Sequence, residues 1–518
     1  MKIPAIWRSR SRRAGSEFVV DWGPVKLATL KRLHHSLFLL VLICCSVAKT
    51  QQIGGASDLT FRSSESSLNE SFLWAKEQAL AYVRPATGGI GPWYESALSG
   101  RDAFCIRDVS HQVQGAAALG LFEANWNMLN RLADSVSASR DWAGYWEIDE
   151  TGKASAADYA NDKDFWFNLP GNFDLLDAIE RMWRWTGDSS YQDDQRMQTF
   201  FRETLTDYVA VWHLRPEMLS KRERIAIRHQ ATGKFVNSRG IPSYTEGAKD
   251  FIFGADLLAA EYRAFRSYRD IALSPEDREL AGKLARESRR IQDAVEEIAW
   301  SPTQRHFLGV FGRDLRGSGS GDTFVLYFGA VKDPVHLRGA LDYISDPNYW
   351  KQINIEEESY VPLVLFRYGR TAAAYRVLMD LTAKSKPRRE YPEVSFSAIS
   401  ALINGVMGIE AGRLGDAFDI QTLPQPLHEN DDNSVGSLRI RQNVVDITHF
   451  GNGETRIVNK SGPVLRWRAR FEVSTKQLVV NGRLTSAHET SLLDGRHVSW
   501  VTVMVPSGTD ATVKSETR

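Results

Sequence analysis

Between about Ser67 and Gly412 the apolar residues of this 518-residue chain recur at helical spacing in one segment after another. No regular alternation of strands with helices interrupts them. Leu68, Phe72, Ala75, Ala79 and Tyr82 share a face, and Ser67 with Glu70 has capping-box spacing. Pro85 and Gly88–Gly89 end that helix. A second helix, expected from about Asp108 to Asp134, turns Val113, Ala116, Gly120, Ala124, Met128 and Leu132 inward. Its many small residues permit the close helix contacts that an inner barrel helix needs.

The pattern continues in pairs. Helices are expected near 171–186, 191–213, 247–270 (Phe251, Ala255, Leu258, Tyr262, Phe265), 276–300, 327–346, 357–369, 370–385 and 393–409. Loops from Arg140 to Pro170 and from Arg215 to Gly247 are long, and structured loops of that length usually carry function. Ten or so helices in hairpins favour an (α/α)6 toroid over a Rossmann fold or a parallel α/β barrel. No short repeat is visible, which disfavours an α-solenoid.

After Gly412 the period changes from helical to alternating. Leu465, Trp467, Ala469, Phe471 and Val473 alternate, as do Val501, Val503 and Val505. Asn481-Gly482 reads as a hairpin turn, and Asp494-Gly495 precedes the last alternating run. The fold expected is therefore an all-α (α/α)6 toroid over 65–412 with a small C-terminal β-sandwich-like module over 413–518. That module is read as a structural cap on the barrel, with carbohydrate binding as the alternative.

Residues 1–48 are set apart as a targeting segment. Lys31-Arg32, the apolar run Leu37–Cys45 and the small-residue exit Ser46-Val47-Ala48 match a secretory signal cleaved after Ala48, with the true start of translation near Val25. The run is short of the ~20 residues a spanning helix needs, so an uncleaved anchor is the alternative. A secreted or periplasmic protein is expected, with no stable membrane partner unless the segment is retained. Cys105 is then the sole cysteine of the mature chain, which excludes an intrachain disulfide. It reads as a small buried hydrophobe. The 64 basic residues balance 64 acidic ones, and nothing in that balance argues for a nucleic-acid partner. There is no HExxH, no CxxC and no phosphate loop, so neither a metal site nor a cofactor is expected.

The chemistry concentrates where charged and aromatic residues meet helix starts. Arg101, Arg107, Asp108 and His111 crowd the beginning of the Ala/Gly-rich second helix, a costly arrangement unless it lines a cavity. Asp108 or Ser110 as a simple helix cap is the plainer reading. Downstream, Trp146-Glu147 and Asp164-Phe165-Trp166-Phe167 place acids beside aromatic faces, which suits a pyranose: acids hydrogen-bond its hydroxyls and rings cover its C–H face. Three consecutive aromatics cannot all face one way, so at least one is available to a cavity. Tyr244 and Glu246 precede the fifth helix, where Glu246 is a candidate acid. Glu356-Glu357-Glu358 reads as a solvated first helical turn, with one of the three reaching inward as the alternative. Glu393, fixed behind Pro392 at the start of the last helix, is the strongest candidate catalytic carboxylate, with Glu390 the alternative.

Arg107-Asp108 at a helix start resembles the Arg-Asp pair with which glucoamylase-like enzymes grip the sugar beside the bond to be cut. The resemblance is to the six-hairpin glycosidase superfamily, which also holds α-L-rhamnosidases and debranching-type glucosidases. Trp146-Glu147 is similar to the Trp-Glu at the catalytic acid of glucoamylases, although it follows an earlier helix here. The superfamily's base stands at the start of the last hairpin's inner helix, which matches Glu393. What the resemblance implies is an exported glycoside hydrolase, exo-acting and inverting, with a carbohydrate substrate bound by Arg101, Arg107, Asp108, His111, Trp146, Asp164, Trp166 and Tyr244. The acid would be Glu246 or Glu147. A polysaccharide lyase, a sugar epimerase and a non-catalytic carbohydrate-binding protein are the rival readings. Few histidines and abundant loop carboxylates favour hydrolysis over the first two.

Overall fold

The computed structural model describes residues 57–86, 89–98, 100–221, 233–235, 237–246 and 251–515. The expected signal and its cleavage point lie outside them. Among the described residues, no helix is long and apolar enough to cross a membrane.

Twelve α-helices of six residues or more lie among the described residues. They are α1 Ser66–Ala81, α2 Ile106–Ala118, α3 Phe122–Asp134, α4 Pro170–Thr186, α5 Gln195–Glu203, α6 Ala255–Ile271, α7 Pro275–Ala294, α8 Asp322–Tyr327, α9 Pro334–Ser345, α10 Val361–Arg367, α11 Thr371–Thr382 and α12 Pro392–Ser400. Burial sorts them into two sets. Every residue of α12 is buried, as is every residue of α2 except Arg107 and Gln114. A helix without a wet side has to be surrounded. By contrast, α7 buries only Ala281, Leu284, Ser288 and Ile291, one stripe of an otherwise solvated helix.

The buried helices form a closed ring. α2 packs on α4, α4 on α6, α6 on α8, α8 on α10, α10 on α12, and α12 returns to α2. Outside the ring, α3, α7, α9 and α11 each pack against the inner helix that precedes them, and α1 covers α12. α5 continues through a π-wound turn to Val211, where Tyr208 meets Phe173 of α4. The helical toroid expected from periodicity is the observed architecture.

Several local expectations are corrected. The 108–134 helix is two helices, because Leu119-Gly120-Leu121 reverses the chain and Gly120 adopts φ +81°. Phe251 belongs to a strand, Phe251–Gly254, rather than to α6. The helix expected over 327–346 begins only at Pro334 as α9, because α8 already ends at Tyr327. The first helix is capped by Glu65, whose carboxylate accepts from Ser67 N–H at 3.2 Å, instead of by a Ser67–Glu70 box.

The β module contains two sheets. The strands are β1 Thr60–Ser63, β2 Glu410–Ala411, β3 Ile420–Thr422, β4 Asn433–Ile440, β5 Asn443–Phe450, β6 Glu454–Ser461, β7 Leu465–Phe471, β8 Gln477–Val480, β9 Arg483–Ser486, β10 His488–Ser491, β11 His497–Val505 and β12 Thr509–Ser515. One sheet runs β1-β4-β5-β6-β12-β8-β9, the other β2-β3-β7-β11-β10. Strand β1, from the far end of the chain, completes the first sheet by pairing Phe61 with Val435. Leu465, Trp467, Ala469 and Phe471 are buried as the alternation requires. Asn481 and Gly482 both take positive φ at the β8–β9 turn.

The module closes the C-terminal end of the ring. Trp185, near the end of α4, donates from Nε1 to Arg439 O at 3.1 Å. Arg413 pairs with Asp270 of α6 at 3.1 Å, and His449 Nε2 meets Met407 O at 3.0 Å just past the α12 continuation. This is the position of a structural cap.

Closure of the ring depends on one glycine. A Cβ on Gly115 of α2 would lie 2.0 Å from the carbonyl oxygen of Phe396 in α12, a backbone atom that cannot step aside. Gly115→Ala should therefore lower stability by about 1–3 kcal/mol, the usual range for overpacking. Gly282→Ala on exposed α7, where nothing lies within 4 Å, should be neutral or stabilising. Thermal melts of both variants check this, and an unchanged Tm for Gly115→Ala would contradict the helix contact.

Candidate active site

A cleft of about 560 Å3 lies at the opposite end of the toroid, where the N-termini of the inner helices converge. α2 contributes Arg107 and Asp108, and α8 contributes Phe324. Tyr244, Thr245 and Glu246 stand ahead of α6, Asn354, Glu356, Glu357 and Tyr360 ahead of α10, and Tyr391 ahead of α12. The remaining wall comes from the 140–170 loop through Trp146, Glu147, Asp158 and Trp166, with Arg101 beside them.

Short ribbons fix that loop. Ala103–Cys105 pairs antiparallel with Glu147–Asp149, which pins Glu147 beside the start of α2. Phe167–Asn168 pairs parallel with Arg239–Ile241, so Trp166 and the Tyr244–Glu246 segment reach the same rim. Phe165 and Phe167 are buried while Trp166 lines the cleft, donating from Nε1 to Asn168 at 2.7 Å. The one available aromatic expected from the triplet is Trp166.

Asp108 is clamped from two sides and is no helix cap. Its Oδ1 takes Arg107 Nε at 3.1 Å and its Oδ2 takes the Tyr391 hydroxyl at 3.1 Å. Burial nevertheless raises its pKa to about 7, against the pull of Arg107. Tyr244 is held by its hydroxyl, which donates to Asp174 at 3.0 Å, and its ring stacks near the Arg107 guanidinium at 5.6 Å. Arg101 bridges two acids, at 2.6 Å from Glu147 and 3.2 Å from Asp158. Burial, with Asp158 adding to it, holds the Glu147 carboxyl above the usual range, and its second oxygen is buried without a hydrogen bond.

Across the ring, Glu357 accepts from the Tyr349 hydroxyl at 2.8 Å, and burial raises it to about 7. Glu356 takes Arg388 at 2.7 Å. Glu358 turns away and pairs with Lys386 at 2.6 Å. The solvated turn expected for these three is corrected: two face the cleft and the third is buried. Glu246 stands exposed toward the mouth, with Asn168 Nδ2 at 3.4 Å, and partial loss of water on its pocket side raises its pKa.

Four other sequence-derived candidates stand elsewhere. Glu393 is fully buried beneath the cleft and does not line it. Its Oε1 is 2.8 Å from His111 Nδ1, its Oε2 is 3.9 Å from Arg107, and burial raises its pKa to about 8. The second helical position points inward here because α12 has no wet side, so a base projecting at the rim is corrected to a carboxyl under the floor. His111 shares that layer, stacked on Tyr360 with ring centroids 3.4 Å apart. Glu390 is exposed outside the cleft and approaches Arg389 at 3.7 Å. Asp164 serves structure: its two oxygens accept backbone N–H groups of Lys234 and Phe235 at 3.0 and 2.7 Å.

Asp158, Glu356, Glu357, Tyr360 and Tyr391 were missed. Their one signal was position, since Tyr360 and Tyr391 each precede an inner helix that has a proline in its first turn. Among the described residues, no group of three or more His, Cys, Asp or Glu side chains is arranged to hold a metal ion.

No protein-family profile matches this chain, and no curated protein does. Solved structures do. The GH78-family rhamnosidase of Bacillus sp. GL1 superposes with a TM-score of 0.52 at 13% identity, covering 78% of this chain and 40% of the rhamnosidase. The α-L-rhamnosidase from Dictyoglumus thermophilum gives a TM-score of 0.53 at 11% identity, covering 89% of this chain and 51% of that one. The chain thus spans about half of the length of these two proteins, or less. The likeness is one of architecture, and the chain has the toroidal fold of the six-hairpin glycosidases.

Proposed function

We propose that this chain is a glycoside hydrolase that takes the terminal sugar of an oligo- or polysaccharide into the cleft and cuts with inversion. The observation that carries the reading is a cleft at the inner-helix N-termini lined by six carboxyls and flanked by Trp146, Trp166, Tyr244, Phe324, Tyr360 and Tyr391. Glycoside hydrolysis needs one carboxyl to protonate the leaving oxygen and one to activate water. A cleft of this volume is about 10 Å across if roughly spherical, which accommodates the ~6.5–9.5 Å separation of an inverting pair.

Glu246 is the proposed acid. It stands at the mouth, where a leaving group departs, and its raised pKa favours the protonated form. Glu147 is the alternative acid. Glu357 is the proposed base, because Tyr349 fixes its orientation and a pKa of about 7 makes it the stronger base for the fraction that is ionised. Asp108, held by Arg107 and Tyr391, is placed to grip sugar hydroxyls. Export by the N-terminal segment belongs to the same proposal.

Glu246→Gln and Glu357→Gln should each lower kcat by ~10²–10⁴-fold, the usual contribution of a positioned acid or base, on an aryl glycoside found by screening. Proton NMR of the first-formed anomer should show inversion. Retention, or near-normal kcat in both variants, contradicts the assignment.

Asp108→Asn should lower kcat/KM by about two orders of magnitude or more while leaving Tm within a few degrees, because a grip on the sugar acts in the transition state. A variant that unfolds yet keeps activity per folded molecule would make Asp108 structural.

The place of Glu393 gives a separate test in pH. A carboxyl raised to about 8 in the fold, against ~4.3 unfolded, contributes its full stability below about pH 4 and loses it as pH rises through about 8. Wild type should therefore lose stability relative to Glu393→Gln as pH rises across that window. A difference that is flat, or that grows in favour of wild type, would mean that Glu393 is ionised in the native state.

A further inference from the structure

We propose that Glu393 is a positioning residue: as an uncharged carboxyl under the cleft floor it leaves the Arg107 guanidinium to Asp108, and when ionised it competes for that guanidinium and weakens the grip of Asp108 on the sugar. The grip rests on the reading of Asp108 as a sugar-binding group, whereas the competition for Arg107 does not. Its basis is one cation set between two buried acids. Arg107 Nη2 is 3.1 Å from Asp108 Oδ1 and 3.9 Å from Glu393 Oε2, and the two acid side chains are 2% and 0% exposed. Asp108 has a second donor in the Tyr391 hydroxyl, 3.1 Å from Oδ2, while Glu393 Oε2 is buried with no hydrogen bond. One buried guanidinium compensates one carboxylate, and a second carboxylate in the same space would have no cation of its own. Asp108 has donors on both oxygens, so Glu393 is the acid that keeps its proton.

The surrounding groups agree with that assignment. Burial raises Glu393 to about 8, against the pull of Arg107 and with Glu356 adding to the rise. Burial also raises Asp108, to about 7, again against Arg107 and with Glu393 adding to it. His111 Nδ1 is 2.8 Å from Glu393 Oε1, but burial and then the Arg181 charge hold the imidazole well below its usual range. That contact is therefore a hydrogen bond between neutral groups and not an ion pair. Tyr360, stacked on His111, and Tyr391 are both held far above the usual phenol range by burial and stay neutral. Glu356 and Arg388 act on Glu393 with opposite signs and are paired with each other at 2.7 Å. On the cleft side of Asp108, burial favours the neutral forms of Cys105, Glu147 and Glu246.

Thermal melts of the full-length wild type, Glu393→Gln, Asp108→Asn and the double variant at about pH 6 and about pH 9 test the competition without any substrate. Glu393→Gln should raise Tm relative to wild type at the higher pH, and Asp108→Asn should shrink that gain by freeing Arg107 for Glu393, so the two shifts should be non-additive at pH 9 and close to additive at pH 6. Turnover of a p-nitrophenyl glycoside gives the second readout. The ratio of kcat/KM for wild type over Glu393→Gln cancels the groups common to both. It should be constant below about pH 7 and fall roughly tenfold by pH 9, as titration of a single group at about 8 requires, and the trend should vanish in the Asp108→Asn background. Shifts that add at both pH values overturn the proposal. So does a Glu393→Gln chain that fails to fold at pH 6, because an amide replaces an uncharged carboxyl without loss of packing. A loss of more than about a hundredfold in kcat at pH 6 would overturn it too, by placing Glu393 in the chemistry. Non-additive melts with no trend in turnover would confirm the competition and sink the sugar-binding reading of Asp108.

Discussion

The contact between α2 and α12 is the constraint on which the rest depends, because it closes the ring. Four links are stacked along it: Tyr391 to Asp108, Arg107 toward Glu393, His111 to Glu393, and Gly115 against Phe396. The partners are 282 and 283 residues apart in two of these links. Bringing ends so distant together costs about 5 kcal/mol by the logarithmic loop law, beyond a constant. The intervening hairpins spread that cost, each packing on its predecessor before the last meets the first. Truncating one member of the polar half of the seam would leave another buried without its partner, whereas an isosteric amide keeps the packing and an acceptor in place. Its lower half is apolar and close, which only Gly115 permits. The seam is also the cleft floor, so ring closure and site assembly are one event.

A second buried network runs below the cleft. Arg181 is 2.9 Å from Asp177, and Asp177 also takes Arg263 and Ser267, which holds its carboxyl well below the usual range. Arg181 donates to Tyr327, whose ring meets Tyr360 edge-on at 4.8 Å. Tyr360 in turn carries His111. Tyr360, one face of the cleft's aromatic wall, thus rests through Tyr327 on ion pairs inside the ring, while Trp146 and Trp166 are carried by the 140–170 loop.

The helices were legible because an outer helix has a wet side and its period shows. Arg-rich α7 is visible as a stripe at Ala281, Leu284, Ser288 and Ile291. Inner helices are harder to bound: α2 is buried nearly all round, so nothing in its period announced that the chain turns back at Gly120. The β module was legible for the same reason as the outer helices, with alternate residues wet and dry. Of the site, Arg107, Asp108, Glu147, Trp166, Tyr244 and Glu246 were found because charge or aromatic residues stood out at helix starts. Glu393 met the same criterion and yet lies beneath the floor, because a helix-start position fixes the level of a side chain along the axis but not its side. Glu356 and Glu357 were set aside for the converse reason. Three consecutive acids look like solvent-facing polarity, and only the ring shows that Glu358 alone turns to Lys386.

The charge distribution along the toroid follows from helix polarity. Each inner helix presents about half a positive charge at its N-terminus and about half a negative charge at its C-terminus. Six such termini converge on the cleft, and the carboxyls gather there. At the other end Arg184, Arg413, Arg441 and Arg466 gather where carbonyl ends and the β module meet. Burial raises the pKa of four of the lining carboxyls, Asp108, Glu147, Glu246 and Glu357. Arg107 pulls against burial at Asp108 and the Tyr349 hydroxyl pulls against it at Glu357, and each carboxyl stands at about 7, close to where an acid and a base can exchange roles with small changes in surroundings. Helix N-termini favour carboxylates, and with Arg107 and the tyrosine hydroxyls beside them a chain with no net charge concentrates titratable carboxyls at this end of the toroid.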